Sequence, residues 1–238
     1  MLPILLKYLS INLMKNRFIQ CISVFLLLFV FGSCGDSIGK AADEGSIEYS
    51  ASVVDQNNSF ATLAPSKMII KFKNNKSCAE MSAGMGLFST SFISDPEKKT
   101  LTQLVKLLNK KISLVQNAAD IAKENDTYKF QITPLKETKM ILGYLCQKAH
   151  VKIDDDFQTE FDVFYTSELK INEPNFANPF YSIHGVLMEY QMKKFGLEMK
   201  FIAKCVKKEA IDDATFELPS DYKPVSAEEM NSLFKSLQ

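Results

Sequence analysis

Histidine and cysteine are the side chains best suited to chemistry in this chain, and both are scarce. Its 238 residues include two histidines and five cysteines. His150 and His184 do not form the His-Glu-x-x-His motif of a metalloprotease, and no Gly-x-Ser-x-Gly elbow or glycine-rich phosphate loop occurs. Cys146 and His150 would share one face of a strand, but four residues separate them by about 13 Å, too far for a hydrogen bond. The residues therefore favour a protein that is not an enzyme.

Cys34 is the cysteine with the clearest chemistry. It follows two basic residues, Lys15 and Arg17, and the apolar run 18–31, with small residues between the run and the cysteine. The run is too short for a transmembrane helix, which needs about 20 residues, and suits a secretory signal peptide. The end Phe-Gly-Ser-Cys resembles a lipobox, with Phe31 where Leu is usual. We therefore expect cleavage before Cys34 and attachment of lipid to that residue.

The anchor prediction leaves two points open. Cys34 could lie by chance beside the end of an ordinary signal peptide, and the chain could start at Met14 instead of Met1. Gly35 after the cysteine, where Asp would retain a lipoprotein at the inner membrane, favours the outer membrane. We expect a lipid-anchored protein of the cell envelope whose partner is the membrane that holds its N-terminus.

The domain organisation follows from composition. Residues 1–33 are the predicted lipoprotein signal peptide, and the small, polar segment 34–45 is a flexible tether. Residues 46–238 contain no linker-like break or repeat and are predicted to form a single domain. The chain has a formal net charge of zero, with acidic and basic residues interspersed, so nucleic acid is not an expected partner.

Three other cysteines, Cys78, Cys146 and Cys205, remain in the domain. They lack the paired spacing of a zinc site, so no metal or other cofactor is expected. Two of them could form a disulfide in an oxidising envelope, or all three could be buried as small apolar residues; the sequence does not choose a pair. The acidic run 154–156 could suggest calcium, but a turn between two strands explains it better.

Methionine and phenylalanine form the more informative excess, with ten and eighteen copies, and tryptophan is absent. Several of them alternate along predicted strands and could line an adaptable apolar surface that binds a hydrophobic ligand. Plain core packing is the competing interpretation. The candidate ligand-binding residues are Met68, Phe72, Phe161, Val163, Tyr165, Met188, Tyr190 and Met192.

These residues would be positioned by strands, because most of the domain alternates between apolar and polar residues. Residues 101–111 fit either a strand or a helix. The predicted strands are 46–53, 67–73, 87–94, 128–133, 138–153, 157–166, 186–192 and 197–206, with a hairpin turn at Phe195-Gly196.

Two segments have helical spacing. The first is 113–124, and the second is 226–237, which begins with a capping box of Ser226 and Glu229. The second carries an apolar stripe, expected to pack on the sheet, of Met230, Leu233, Phe234 and Leu237. The fold class is thus mainly β (α+β): a strongly curved antiparallel sheet or half-open β-barrel with one or two packed helices.

Three segments carry a family resemblance: TKMILGYLCQKAHV from Thr138, FDVFYTSEL from Phe161 and FYSIHGVLMEY from Phe180. In this order they resemble an uncharacterised lipoprotein family of Gram-negative envelopes, a domain of unknown function, which the turn 94–100 and the tail 216–230 also fit. They are similar to the related GLPGLI family, without the GLPGLI signature itself. The resemblance implies a fold like that of LolA and LolB, half-open barrels that carry lipoproteins or lipids across the periplasm. It brings no catalytic residues.

Together these observations predict a non-enzymatic envelope lipoprotein that binds a lipid or other hydrophobic ligand in a half-barrel. The alternative is a structural or protein-protein interaction module of the cell envelope, which would bind a partner through a sheet edge or its C-terminal helix. A hollow apolar cavity would favour the first function, and a filled core with an exposed apolar edge would favour the second.

Overall fold

The computed structural model describes residues 43–55, 64–194 and 196–236, so the predicted signal peptide and Cys34 lie outside the described residues. Most of the described chain is in strands, and two α-helices accompany them. The strands are β1 Glu44–Val53, β2 Lys67–Lys73, β3 Lys76–Ala83, β4 Phe88–Asp95, β5 Thr100–Leu107, β6 Lys110–Gln116, β7 Phe130–Ile141, β8 Tyr144–Ile153, β9 Glu160–Thr166, β10 Val186–Lys194, β11 Leu197–Lys207 and β12 Lys223–Pro224. The helices are α1 Ala118–Asp126 and α2 Ala227–Ser236.

One open sheet contains all twelve of these strands, in the order β12-β6-β5-β4-β3-β2-β1-β11-β10-β9-β8-β7. The expected mainly β architecture is confirmed. The expected purely antiparallel pairing needs one correction, because β12 pairs with β6 in parallel. The chain reaches that edge from the distant β11, and it arrives in the same direction as β6.

Strand β1 joins the two halves of the sheet. It pairs with β2 on one side and with β11 on the other. Its alternate side chains Ile47, Tyr49, Ala51 and Val53 are all buried, as expected for a strand with one face on a core. A bulge between Glu48 and Tyr49 shifts the pairing with β11, and bulges increase the local twist and bend of a strand.

Residues 138–153 were expected to form one long strand, and this is wrong. Leu142 and Gly143 form a two-residue turn with φ angles of 52° and 82°, so the segment is the hairpin of β7 and β8. Positive φ at both central positions is the geometry of a type I′ turn, which matches the twist of a hairpin. The apolar residue before the glycine concealed the turn.

Residues 113–124 were expected to be helical from the start, and this too is wrong. The chain continues as strand β6 to Gln116, and α1 begins only at Ala118. Asn117 ends the strand and caps the helix, because its side chain accepts hydrogen bonds from the backbone N–H groups of Ala119 and Asp120. Residues 101–111, left open between strand and helix, form β5 and the start of β6.

Helix α2 confirms the predicted capping box. The Ser226 hydroxyl accepts a hydrogen bond from the Glu229 N–H, and the Glu229 carboxylate accepts one from the Ser226 N–H. Met230 and Phe234 are buried together with Val105 and Ile112 of the sheet. The stripe therefore packs on the sheet as expected, apart from Leu237, which lies outside the described residues.

The largest core lies on one face of β1, β2 and β8 to β11. The connection 167–185 between β9 and β10 covers this part of the sheet and contributes the buried Leu169, Phe180 and Ile183. Asn175 secures the connection, since its side-chain amide donates to the carbonyls of Ile183 and Gly185, each at 2.8 Å. A smaller cluster of Cys78, Ile93 and Leu104 packs against Phe216 and Tyr222.

Candidate ligand-binding cavity

A cavity of about 460 Å³ lies beside the large core, on the inner face of the sheet, where the connection 167–185 borders the space without filling it. Its floor is formed by seven strands, β1 to β5 together with β10 and β11, so the sheet curves around it. The remaining walls are formed by α1 with the following Tyr128, by the connection 167–185, by Ala64 and Pro65 before β2, and by Phe234 of α2. Most of the lining is apolar, and the volume falls within the range of small-molecule sites, about 300–1,000 Å³.

Small side chains on β3 help to explain why this part of the sheet is not filled. In β3 the residues that face the cavity are Ser77, Ala79, Met81 and Ala83, alternating with residues on the other face. Strand β4 adds Ser94 at one end. A core normally packs to the density of an organic crystal, but the serine and alanine side chains of β3 leave part of the space above this strand open, between Met81 and the β4 rings of Phe88 and Phe92.

Aromatic side chains close the cavity on the side of the large core. Phe180 contacts Phe130 and Tyr190 edge to face, with ring centroids 5.1 and 5.8 Å apart. Tyr190 in turn stacks on Phe201 at 5.0 Å. Such ring pairs add about 0.5–1.5 kcal/mol each beyond the area they bury. This cluster is a fixed wall, and it separates the filled half of the sheet from the cavity.

The hydroxyl groups of two buried tyrosines are held at this wall. The Tyr49 hydroxyl donates to the Leu187 carbonyl at 2.8 Å, and the Tyr190 hydroxyl lies 3.9 Å from the Met68 sulfur. Burial raises the pKa of both tyrosines above the ordinary value, and for Tyr49 the neighbouring Tyr190 and Cys146 raise it further. Both hydroxyl groups are therefore neutral, and their role is structural.

One part of the cavity wall is charged. The Lys194 ammonium lies 2.7 Å from the Glu124 carboxylate and 5.0 Å above the Phe92 ring, and the Gln116 amide donates to the same carboxylate at 2.7 Å. Burial would raise the pKa of Glu124, but the charge and hydrogen bond of Lys194 and the bond from Gln116 outweigh it, so the pKa lies below its ordinary value. The apolar cavity thus carries an ion pair at its wall.

Thr90 places a second polar group in the cavity. Its side chain lines the cavity and is 5% exposed. Its hydroxyl has no hydrogen-bond partner among the described residues. A buried hydroxyl without a partner is unfavourable by about 1–3 kcal/mol, so this position is suited to a hydrogen bond from a bound molecule.

Three of the eight predicted ligand-binding residues line the cavity, namely Met68, Tyr190 and Met192. The other five belong to the large core or pack against it: Phe72, Phe161, Val163, Met188 and Tyr165. Phe161 and Val163 lie on β9, in the half of the sheet that the connection 167–185 covers. The sequence pattern identified the inward face of these strands, but it could not show which part of that face would be covered.

Most of the cavity lining was not identified from the sequence. Strand β3 was missed because Lys76–Ala83 has one large apolar residue, Met81, among small and polar residues. The aromatic residues Phe88 and Phe92 lie in the correctly predicted β4 but were not among the predicted ligand-binding residues. Glu124 lies in a segment whose helix was predicted; only its spatial proximity to Lys194, 70 positions later, gives it a role.

No cysteine or histidine of the described residues lines the cavity. Cys78 and Cys146 are buried free thiols, so Cys78, Cys146 and Cys205 form no disulfide with one another. Burial raises the pKa of Cys78 to about 12 and that of Cys146 to about 11, which makes both thiols inert. His150 lies on the surface between Asp162 and Glu160, with nitrogen-oxygen distances of 3.0 and 3.4 Å.

Two further observations concern ions and membranes. The acidic run forms the turn between β8 and β9, where the Asp155 carboxylate accepts hydrogen bonds from the backbone N–H and the hydroxyl of Thr159. Within the described residues no group of three or more His, Cys, Asp or Glu side chains could hold a metal ion. Neither α1 nor α2 is long and apolar enough to cross a membrane.

Comparison with known proteins identifies the family and the fold. The profile of the family "N-glycanase peptide, N-terminal domain" matches residues 48–176, more than half of the chain. No curated protein matches the sequence. The solved structure of PNGF-II in a C2 space group has a TM-score of 0.52 and 20% identity over 82% of this chain and 33% of that one. The chain thus spans about a third of PNGF-II, and the likeness concerns the fold alone.

LprF from Mycobacterium bovis also aligns, with 13% identity, a TM-score of 0.30, and coverage of 71% of this chain and 88% of that one. A TM-score this low supports no conclusion about shared structure or function. The resemblance to the LolA, LolB and GLPGLI proteins stays a prediction. On the sequence match over residues 48–176, this chain belongs to the family of N-glycanase N-terminal domains.

Proposed function

We propose that this protein is a non-enzymatic envelope lipoprotein that binds an amphiphile with a long apolar chain, such as a fatty acid or a lipid. The observation that supports this best is the cavity of about 460 Å³ with its largely apolar lining. The cavity is formed by side chains from both halves of the sheet. Its walls are strands and an aromatic cluster, which favours a site that exists before the ligand arrives.

The polar groups of the cavity support an amphiphile over a pure hydrocarbon. A hydrocarbon would leave the Thr90 hydroxyl without a hydrogen bond, whereas a ligand hydroxyl, ester or amide could satisfy it. The ion pair of Glu124 and Lys194 is internally neutral, so it favours a polar head group that forms hydrogen bonds without requiring a net charge. The expected ligand thus combines an apolar chain with a hydrogen-bonding head.

The absence of catalysis is part of the proposal. Neither histidine lines the cavity, and the free thiols of Cys78 and Cys146 are buried outside it. The family match concerns an N-terminal domain, and the chain spans only about a third of PNGF-II. A binding role fits these observations without any reactive group.

The proposed location is the envelope, with the lipid on Cys34 holding the protein to the outer membrane. The support is the sequence alone: an apolar run of signal-peptide length followed by small residues and the cysteine. A lipid anchor would keep the cavity near a membrane, from which an amphiphile could be taken up.

A matched pair of tryptophan variants tests the ligand proposal. Ala79→Trp places a large side chain inside the cavity, and Ser82→Trp places the same side chain on the exposed opposite face of β3. The full-length proteins are purified from the envelope of a bacterial host, and mass spectrometry measures the lipid or fatty acid that each retains. Both variants have the same predicted anchor and are purified in the same detergent, so lipid bound outside the cavity should be equal in the two.

We expect the wild type and Ser82→Trp to retain one amphiphile each, and Ala79→Trp to retain about tenfold less, which corresponds to roughly 1.4 kcal/mol of binding free energy. Equal retention by all three proteins would contradict a ligand in the cavity. An absence of bound amphiphile in the wild type would also contradict it and would favour the alternative, an interaction module of the envelope.

The alternative rests on exposed apolar residues near the β7 edge of the sheet. Met140 and Leu145 are 60% and 50% exposed. However, β7 also carries Pro134, a pairing irregularity and exposed lysines, which are features that protect an edge strand from pairing. The edge is therefore less suited to binding a partner strand than the cavity is to binding an amphiphile.

A further inference from the structure

Two neighbouring turns at one end of the sheet expose large apolar side chains. Met85 and Leu87 belong to the turn between β3 and β4, and Leu108 belongs to the turn between β5 and β6. Their exposed fractions are 103%, 55% and 58%. The Leu108 N–H donates to the Leu87 carbonyl at 2.7 Å, so the turns are joined. We call Met85, Leu87 and Leu108 the apolar tip.

The conformation of the first turn presents Met85 outward. Gly84, Met85 and Gly86 have consecutive positive φ angles of 57°, 53° and 85°. Glycine adopts this region readily, but an L-residue such as methionine does so at a cost of roughly 1–2 kcal/mol. Because the Met85 side chain is fully exposed, no packing contact within the domain offsets this cost. The conformation therefore indicates that Met85 contacts something outside the domain.

The charged residues that the two hairpins place beside the tip are lysines. Lys106 and Lys110 flank Leu108, and within the described residues neither forms a salt bridge; the adjacent Lys111 pairs with Asp221. From position 83 to position 115 the acidic residues are Asp95 and Glu97. Both lie at the turn between β4 and β5, which antiparallel pairing places at the opposite end of the strands.

The tip is continuous with the cavity. Leu87 lines the cavity although more than half of its surface is exposed, and Ala83, Gly84 and Leu107 line it from the same two hairpins. We infer that the apolar tip inserts into a lipid bilayer with anionic head groups and opens the cavity to the hydrocarbon region. This inference rests on the proposed function, because it supplies the route by which an amphiphile would enter.

The proposed N-terminal anchor would not by itself place the tip in the bilayer. Strand β1 starts at the end of the sheet opposite the tip, since it pairs antiparallel with β2 and β2 leads into the turn at Asn74-Asn75. Its ten residues place the tip about 33 Å from the point where the chain enters the domain. A probe at the tip can therefore be distinguished from one near the anchored end.

Tryptophan scanning tests the inference in the full-length, membrane-anchored protein, because the natural chain contains no tryptophan. The probe is Met85→Trp. The controls are Leu142→Trp, in a turn at the end of the sheet where β1 starts, and Phe157→Trp, in the turn between β8 and β9 at the same end as the tip. Each protein is reconstituted into phosphatidylcholine vesicles with and without phosphatidylglycerol, some containing brominated acyl chains as contact quenchers.

Of the three variants, we expect only Met85→Trp to have a tryptophan emission that shifts to shorter wavelength and is quenched by brominated chains. Both effects should be stronger in vesicles that contain phosphatidylglycerol. Changing Lys106 and Lys110 to glutamine should weaken attachment of the tip to the anionic vesicles by about fivefold per lysine. Quenching that is absent at Met85→Trp, or equal at all three positions, would overturn the inference.

A second measurement separates this inference from the proposed function. Met85→Ser combined with Leu108→Ser removes two tip residues that do not line the cavity. If the inference holds, this protein takes up a fluorescent fatty acid from vesicles at least about fivefold more slowly than the wild type, yet it binds the same fatty acid added from solution equally well. Unchanged uptake from vesicles would overturn the tip inference, whereas a wild type that binds no fatty acid from either source would overturn the proposed function.

Discussion

Glu124 and Lys194 show how single residues give a largely apolar cavity its polar character. An ion pair near solvent contributes little by itself, usually below about 1 kcal/mol. Here Gln116 adds a hydrogen bond and the Phe92 ring lies beneath the ammonium, so the pair has a fixed geometry. The same residues connect α1 to β10, and therefore join the two halves of the chain across the cavity.

Replacing Glu124 by glutamine should change how stability depends on pH. The pKa of Glu124 is lowered in the folded state, so its contribution is present above the unfolded-state pKa, about 4.3, and is lost as the pH falls through the folded-state value. We expect Glu124→Gln to lower the free energy of unfolding at pH 7 by about 1 kcal/mol, with a difference that shrinks below about pH 4. Urea unfolding followed by circular dichroism measures this.

The exposed Glu97 provides the matched control for that experiment, because it forms no salt bridge among the described residues. Glu97→Gln should leave the free energy of unfolding nearly unchanged across the same pH range. A stability difference for Glu124→Gln that stays constant from neutral to acidic pH would contradict an ionised, paired carboxylate at this position.

At the scale of elements, the strands could be predicted where apolar and polar residues alternate strongly. The prediction failed where this alternation is weak or where a turn has an unusual residue. Strands β1 and β2 alternate clearly, and the capping box of α2 marked its start. Strand β3 was missed because three of its four inward residues are serine or alanine, the same property that leaves room for the cavity. The turn at Leu142-Gly143 was missed because an apolar residue occupies a position that usually holds asparagine or aspartate.

That turn gives a prediction about the β7-β8 hairpin. Leu142 has a φ of 52°, a conformation that asparagine tolerates better than leucine does. We expect Leu142→Asn to raise the free energy of unfolding by about 1 kcal/mol, since the left-handed region costs most L-residues roughly 1–2 kcal/mol. Thermal or urea unfolding measures the gain. Leu145→Asn, which removes a similarly exposed leucine from β8, should not be stabilising; equal effects of the two changes would contradict the explanation.

At the scale of the whole molecule, the inner face of the sheet is filled over β7 to β9, whereas the cavity lies over β1 to β5, β10 and β11. β1 pairs with β2 and β11, and the aromatic wall separates the filled region from the cavity. The sequence predicted a curved sheet with an apolar inner face, but the location of the cavity depends on where the connection 167–185 packs. That packing involves hydrogen bonds of Asn175 within the connection and ring contacts of Phe180 with Phe130 and Tyr190. Neither kind of contact produces a periodic pattern in the sequence.

This asymmetry predicts uneven local stability. Strand β3 has one buried residue, Cys78, among eight, whereas β8 buries Cys146, Ala149 and Val151, and regions with few buried contacts open more readily. Without ligand, we expect the amides of β3 and β4 to exchange with deuterium faster than those of β8 and β9. A bound amphiphile or the Ala79→Trp side chain should slow exchange in β3 and β4 selectively, while Ser82→Trp should not. Exchange that is uniform across the sheet, or slowed equally in both halves by the ligand, would show that the cavity does not determine local stability.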